Sequence, residues 1–383
     1  MRIVFVSNFL NHHQQMLCEE LKKRCEEFRF IATENVEGAG YQRTVSCEYA
    51  LNWFSPEDKA EAEQIIASYD VAIFGSCPHA LIAGRMKENR LSFIFSERFF
   101  KDSMLMRFYP KRRRNIKQRV ADYSDKRMYA LCASAYLPYE LSLFGFPAEK
   151  CFKWGYFPEA RYYSDIDALL RSKPRGSILW AGRFVDFKAP EKAIWLAERV
   201  RDMGIDFELN MIGDGPLRGR IEKMILKKGL SDRVHLLGSK TPEDVRAYME
   251  ASSLFLFTST KGEGWGAVLN EAMNSCCAVL ASHAPGSSPF LVEDGVNGVL
   301  YKNDSLKDMT VKAARLLADP DLCAEYGKKA CESIMDKWNP SSAAERFVRL
   351  AQALISGEPT DSLYSDGPIS NVKIIKNNWY KGE

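Results

Sequence analysis

Histidine is scarce in this chain, with five in 383 residues. Its ten cysteines stand singly apart from the neighbours Cys276 and Cys277, and no C-x-x-C pair occurs. So few imidazoles and no cysteine pairs argue against a structural zinc site, and no metal site is expected. Unpaired thiols without a leader segment fit a reducing, cytoplasmic setting. Long hydrophobic runs are missing as well. The run Ile3-Val4-Phe5-Val6 turns polar at Ser7 and Asn8, too soon for a secretory signal or a membrane span. Nor does one sign of charge dominate: the formal net charge is +3, which gives no reason to expect a nucleic-acid partner. What is present is 46% apolar and 27% charged residues, the composition of a soluble globular protein. The length favours two domains or three.

Short apolar runs alternate with helical patterns along the first half. IVFVS, FRFIAT (28–33), DVAIFGS (70–76) and LSFIFS (91–96) have the character of buried parallel strands. QQMLCEELKKRC and DKAEAEQIIASY carry the helical spacing between them. Residues 155–176 have no steady period and contain Pro158, Pro174 and Gly176, so the interdomain linker is expected there. SILWAG (177–182), FELNMIG (207–213), RVHLLG (233–238), SLFLFTS (253–259) and AVLAS (278–282) then resume the alternation. The reading is an α/β chain with a first domain over 1–160 and a second over 161–339. A helix near 340–356 is expected to pack back on the first domain, followed by a tail over 357–383. Ligands of such sheets sit at the carboxyl ends of the strands, so the chemistry is expected in the turns that follow them.

Three turns of the second domain carry such chemistry. After SILWAG come Arg183 and Lys188, a planar fork and a mobile point charge able to converge on a phosphate pair. A solvated loop accounts for that pair equally well. After FELNMIG come Gly213, Asp214, Gly215 and Pro216; glycines admit a ligand to the backbone, and the proline can open a helix whose free N–H groups face an anion. After SLFLFTS comes KGEGWGAVLNE, in which Gly264, Trp265 and Gly266 lead into a helix. Backbone N–H groups of Gly266, Ala267 and Val268 would there favour phosphate oxygens. Glu263 before that helix can accept hydrogen bonds from sugar hydroxyls, and Glu271, about one and a half turns in, suits a ribose diol. Capping and solvation would explain either glutamate singly.

In this order, G-R-x4-K at 182–188, G-D-G-P at 213–216 and E-x7-E at Glu263–Glu271 resemble the retaining GT-B glycosyltransferases of family 4. Leu237 and Gly238 before a helix, and D-G-V-N-G at 294–298, add to the resemblance, which spans roughly 177–350. It implies two Rossmann-like doubly wound domains facing each other across a cleft. It also implies a nucleotide-sugar donor, UDP- or GDP-linked, used as a substrate with no cofactor. On that pattern Arg183 and Lys188 neutralise the diphosphate, Glu271 holds the ribose and Glu263 contacts the sugar. The Gly264–Leu269 turn supplies backbone N–H groups, and Leu237 and Gly238 line the base. The acceptor would be a hydroxyl of a glycan or a lipid-linked molecule.

The first domain departs from the family's pattern. Relatives carry a glycine pair after the first strand, where this chain has Asn8, Asn11, His12, His13 and Gln14. His12 and His13 are candidates for acceptor or phosphate contacts, or else loop and capping residues. After LSFIFS, where relatives often have a histidine, stand Ser96, Glu97 and Arg98. Glu97 is a catalytic candidate, with an ion pair to Arg98 as its structural alternative; His79 is a weaker one. Residues 85–127 hold fourteen Lys and Arg against five Asp and Glu. Their segment 98–119, interleaved with aromatics, suits the anionic inner face of a membrane, or else a solvated loop and helix. A sugar-nucleotide epimerase on the same fold, or a catalytically silent nucleotide-sugar-binding protein, are the alternatives in function.

Overall fold

The apolar runs of the first half become a seven-stranded parallel sheet and those of the second half a six-stranded one. In the computed structural model, which describes residues 1–35 and 47–382 apart from the side chain of His12, the chain divides into two units. One comprises Met1–Glu159 with Lys337–Lys376; the other comprises Ala160–Asp336 with the segment from Asn377 onward.

The strands of the first unit are β1 (Arg2–Ser7), β2 (Glu27–Ala32), β3 (Ala50–Asn52), β4 (Val71–Phe74), β5 (Ser92–Ser96), β6 (Met128–Cys132) and β7 (Cys151–Lys153), in the order β3-β2-β1-β4-β5-β6-β7. Those of the second are β8 (Ser177–Ala181), β9 (Glu208–Ile212), β10 (Val234–Gly238), β11 (Leu254–Phe257), β12 (Ala278–Ser282) and β13 (Val299–Tyr301), in the order β10-β9-β8-β11-β12-β13. Each sheet starts in its middle, grows to one side, then crosses back and grows to the other. The reversal leaves a crevice beyond β1 and β4 in one unit and beyond β8 and β11 in the other.

Helices cover both faces, which is why β4, β8 and β12 carry no outward polar alternation and are buried throughout. Fully burying one large side chain, such as Phe74 or Leu280, contributes about 1.5–3 kcal/mol. The central register fixes the strand ends: Ile178 pairs with Leu209 on one side and Leu254 on the other, so the turns after β8, β9 and β11 leave at one level.

Several sequence expectations shift. The region expected as a linker contains a helix, Ile166–Ser172, capped by Asp165 and with no fully buried residue. Strands β3, β6 and β7 had no counterpart in the apolar pattern. His12 and His13 are the first two residues of a helix, His12–Lys22, capped by Asn11, and not loop residues. The segment beyond 357 is held in place at two points. Ile369 N–H donates to the Lys153 carbonyl at 2.8 Å, and the Tyr380 hydroxyl bonds Leu300 O at 2.6 Å and Asp294 at 2.9 Å. The helix Pro340–Ser356 packs in the first unit, where Phe347 meets Phe93 and Trp154.

Candidate functional site

Three loops leave the second sheet at its crevice, and hydrogen bonds lace them together. Phe184 N–H donates to the Asp214 carbonyl at 2.8 Å, and Leu217 N–H returns to the Phe184 carbonyl at 3.0 Å. Thr260 N–H donates to Phe187 O at 2.8 Å. A buried relay runs from Trp180 Nε1 to Thr258 Oγ1 and from that hydroxyl to Lys188 O, each at 2.7 Å. The glycines of the second loop serve this lacing. Gly213 has φ +130°, and a Cβ there would lie 1.9 Å from the Gly182 carbonyl; at Gly215 it would lie 2.7 Å from the Phe184 carbonyl. Their freedom is spent on loop-to-loop approach. The helix expected from Pro216 begins only at Arg218, and the Leu217 and Arg218 amides are already engaged by Phe184 and Gly215.

Lys188 reaches across to Glu263, forming an ion pair with both side chains largely buried. Ser259 Oγ donates to the same Glu263 oxygen, Oε2, at 3.1 Å. Arg183 is exposed, with its guanidinium 6.0 Å from the centre of the Phe187 ring and no carboxylate bound to it among the described residues. Of the two cations on the first loop, Lys188 is thus neutralised, while Arg183 has no carboxylate partner among the described residues. Glu271 lies in the first turn of the helix Val268–Asn274, nearer its N-terminus than expected. Burial pushes its carboxyl above the ordinary glutamate range, opposed by the positive charges of Arg246, Arg161 and Lys188. Arg246 and Arg161 were invisible in the sequence. Arg246 donates to the Glu271 carbonyl at 3.1 Å and to Asn274 at 2.6 Å, while Arg161 binds Glu250 and Glu243.

The Gly-Trp-Gly turn is a packing device. Trp265 is fully buried and donates through Nε1 to Asn270 at 2.9 Å, while its carbonyl accepts from Ser287 Oγ at 2.6 Å, so its ring is core. Gly266, at φ +90°, admits the Phe257 ring where a Cβ would lie 2.5 Å away. The Leu269 amide is spent on the Gly266 carbonyl, which removes it from the expected donors. Gly264 is buried at the start of the turn, and Ala267 and Val268 are half-buried. At the end of β10, Leu237 is half-buried and Gly238 accepts from the Gly213 amide at 2.9 Å.

In the first unit a separate cavity of about 630 Å³ lies beyond β1, β4 and β5. From the loop after β1 and the helix that follows, it is lined by Asn8, Asn11 and Gln14; His13 lies beside Tyr156, ring centres 6.2 Å apart. The side chain of His12 lies outside the described residues. Glu97 reaches the cavity paired with Lys101, not with Arg98. Arg98 turns inward to Glu140 at 3.0 Å, where both side chains are excluded from water, and Glu140 also accepts from the Phe99 and Phe100 amides. Burial raises the Glu140 carboxyl above its ordinary value against the pull of Arg98 and those amides. His79 starts an exposed helix turn. Asp165 and Asp167 are a helix cap and a partner of Lys328.

Residues 165–333 match the family model of glycosyl transferases group 1. Inside that group 1 region lie all three laced loops. A poly(ribitol-phosphate) α-N-acetylglucosaminyltransferase of Staphylococcus aureus is 32% identical over 169 residues, 44% of this chain and 34% of its own. An α-D-kanosaminyltransferase of Streptomyces kanamyceticus is 28% identical over 211 residues, 53% of this chain and 54% of its own. The chain thus spans between about a third and about half of these relatives' length. Among solved structures, HepE of Anabaena, crystallised with UDP, superposes with a TM-score of 0.68 over 93% of this chain and 100% of its own, at 17% identity. TarM of S. aureus, solved with UDP, fondaparinux and α-GlcNAc-glycerol, gives 0.56 over 73% of this chain and 55% of its own, at 22% identity. The fold is the GT-B type, built from two parallel-sheet Rossmann-like units.

Proposed function

We propose that this chain is a retaining, metal-independent glycosyltransferase that moves a sugar from a nucleoside-diphosphate donor to a hydroxyl of a glycan or lipid-linked acceptor. The observation that carries the reading is the crevice beyond β8 and β11, where Arg183 is uncompensated and Lys188 is balanced by Glu263. In the reaction the bond from the anomeric carbon to the diphosphate oxygen breaks, and a bond to the acceptor oxygen forms on the same face. The acceptor proton passes to the leaving phosphate. Negative charge grows on the diphosphate, and fixed cations placed there stabilise the transition state more than the ground state. Arg183 and Lys188 fill that role, with Glu271 on the ribose diol and Glu263 on the donor sugar. The backbone of Gly264 through Val268 lies beside the phosphates, and Leu237 with Gly238 beside the base. The UDP complexes of HepE and TarM make UDP the first donor base to try, with GDP second.

The acceptor is assigned to the first unit, with Glu97, His12 and His13 as candidates around it. Its segment 98–119 suits the anionic inner face of a membrane. Leu105, Phe108 and Tyr109 are exposed beside a helix, Pro110–Arg119, that holds six cations and no carboxylate.

The test is turnover of UDP-glucose, alone and with candidate acceptors, following the anomeric configuration of the product by NMR. The reading expects an α-linked product from the α-linked donor. It expects Glu263→Gln to lower kcat/KM by about 100-fold while UDP affinity holds or improves, because Lys188 is released to the diphosphate. An inverted product, or a Glu263→Gln enzyme with full activity, contradicts it.

A further inference from the structure

The cavity of the first unit has a charge balance that its neighbourhood does not close. Four cations line it: Arg98, Lys101, Arg112 and Arg119. Arg98 is matched by the buried Glu140, and Lys101 by Glu97. Arg112 donates to the Phe99 carbonyl at 2.8 Å, and Arg119 to the Gly75 carbonyl and, at 3.2 Å, to that of Cys77. Neither has a carboxylate partner among the described residues, so two guanidinium charges stand in excess around a space of about 630 Å³.

The rest of the lining suits an oxyanion as well. Asn8, Asn11, Gln14 and Asn115 bring amide groups to the wall. Gly75, the first residue after β4, also lines it, and a Cβ there would lie 2.5 Å from Ser7 Oγ. Arg112, Asn115 and Arg119 all come from one helix, so a rigid element presents both excess charges. Guanidinium groups recognise phosphate through paired, directional N–H bonds, and such charge-assisted bonds are about twice as strong as neutral ones. Carbonyl bonds hold each guanidinium in place without neutralising it.

We propose that this cavity binds the phosphate or diphosphate group of the acceptor, through Arg112 and Arg119, so that the enzyme glycosylates a phosphate ester and not a neutral sugar. The inference rests on the glycosyltransferase reading for the word acceptor, while the anion site stands or falls separately. The phosphate can be that of a soluble ester or a lipid headgroup.

The experiment titrates inorganic pyrophosphate into the full chain by calorimetry with UDP at saturation, so that the crevice beyond β8 and β11 is already filled. A second binding event is expected. Arg112→Gln should weaken it about 10-fold. Asn115→Asp, which brings a negative charge to an exposed wall position, should weaken it by a similar factor. Arg114→Gln, an equal loss of charge on the same helix outside the cavity, should change it less than about 2-fold. No second event, or one equally sensitive to Arg114→Gln, overturns the proposal. A prior titration of UDP into the same protein reports on the donor site, so its failure is seen separately. Competition of phosphatidylglycerol vesicles, but not phosphatidylcholine vesicles, with pyrophosphate identifies a lipid headgroup as the source. Lack of competition identifies a soluble ester.

Discussion

The two crevices have the same topology and are built differently. Beyond β8 and β11 the backbone does the work: three loops are tied by main-chain bonds, with Gly213, Gly215 and Gly266 at positive φ where they approach their neighbours. Beyond β1 and β4 the work falls to side chains gathered from five separate stretches of sequence. A backbone frame tolerates little change, because each residue's φ/ψ and contacts are fixed by the next loop. A side-chain wall can change its residues while keeping the sheet beneath it. The first construction suits a part shared by many donors, the second a part that differs with the acceptor.

The largest effect is expected where the side-chain wall is anchored. Glu140→Ala leaves Arg98 buried without its counter-charge and two amides without their acceptor, and should cost about 3–5 kcal/mol. Chemical denaturation measures it. A paired substitution then compares the two crevices directly. Gly213→Ala forces a Cβ into the Gly182 carbonyl at a φ that L residues rarely adopt, and should cost roughly 3 kcal/mol. Gly75→Ala meets the Ser7 hydroxyl at 2.5 Å, which can rotate away, and Ser7 Cβ at 3.1 Å, but no backbone carbonyl, and should cost about 1–2 kcal/mol. Equal losses in the two melts would remove the distinction between frame and wall.

Glu271 gives a smaller, pH-dependent effect. Its folded-state value is raised, so the folded protein holds that proton more tightly than the unfolded chain. Protonation therefore favours folding, and this contribution is lost as pH rises through the raised value. Glu271→Gln should raise the melting temperature at neutral pH. The gain should shrink as pH falls towards 4.5, the ordinary glutamate value. The same variant should weaken UDP binding about 10-fold at neutral pH, since a carboxylate accepts both ribose hydroxyls. A stabilised variant with undiminished UDP affinity would detach Glu271 from the ribose. The smallest effect is expected at the surface: Phe108→Ser should lower sedimentation with phosphatidylglycerol vesicles several-fold.

Sequence legibility follows the same division. The strands of both crevices were readable because burial on both faces makes them continuous apolar runs, as in VAIF and SILWA. Strands β3 and β7, three residues each at the sheet edges, are too short for a pattern to register. The helix Ile166–Ser172 buries no residue fully and so shows no stripe. The end of the chain is held by main-chain bonds to Lys153 and by stacking of Tyr380 on His283, neither of which leaves a period. In the second unit, loops with glycines, Arg183, Lys188 and the two glutamates gave a readable motif. What stayed hidden were the partners: Glu263 for Lys188, Arg246 behind Glu271 and Lys101 for Glu97. In the first unit the histidines drew attention by residue type, while the lining by Asn8, Asn11, Gln14, Arg112 and Arg119 did not.

The measurement that bears most directly on the donor crevice is calorimetric titration of UDP, and of GDP, into the wild type and Arg183→Ala. The account predicts micromolar binding of one nucleotide to the wild type and a loss of about 30-fold or more in the variant, since an uncompensated guanidinium is removed from the diphosphate. Binding of neither nucleotide, or equal binding by both proteins, would contradict it.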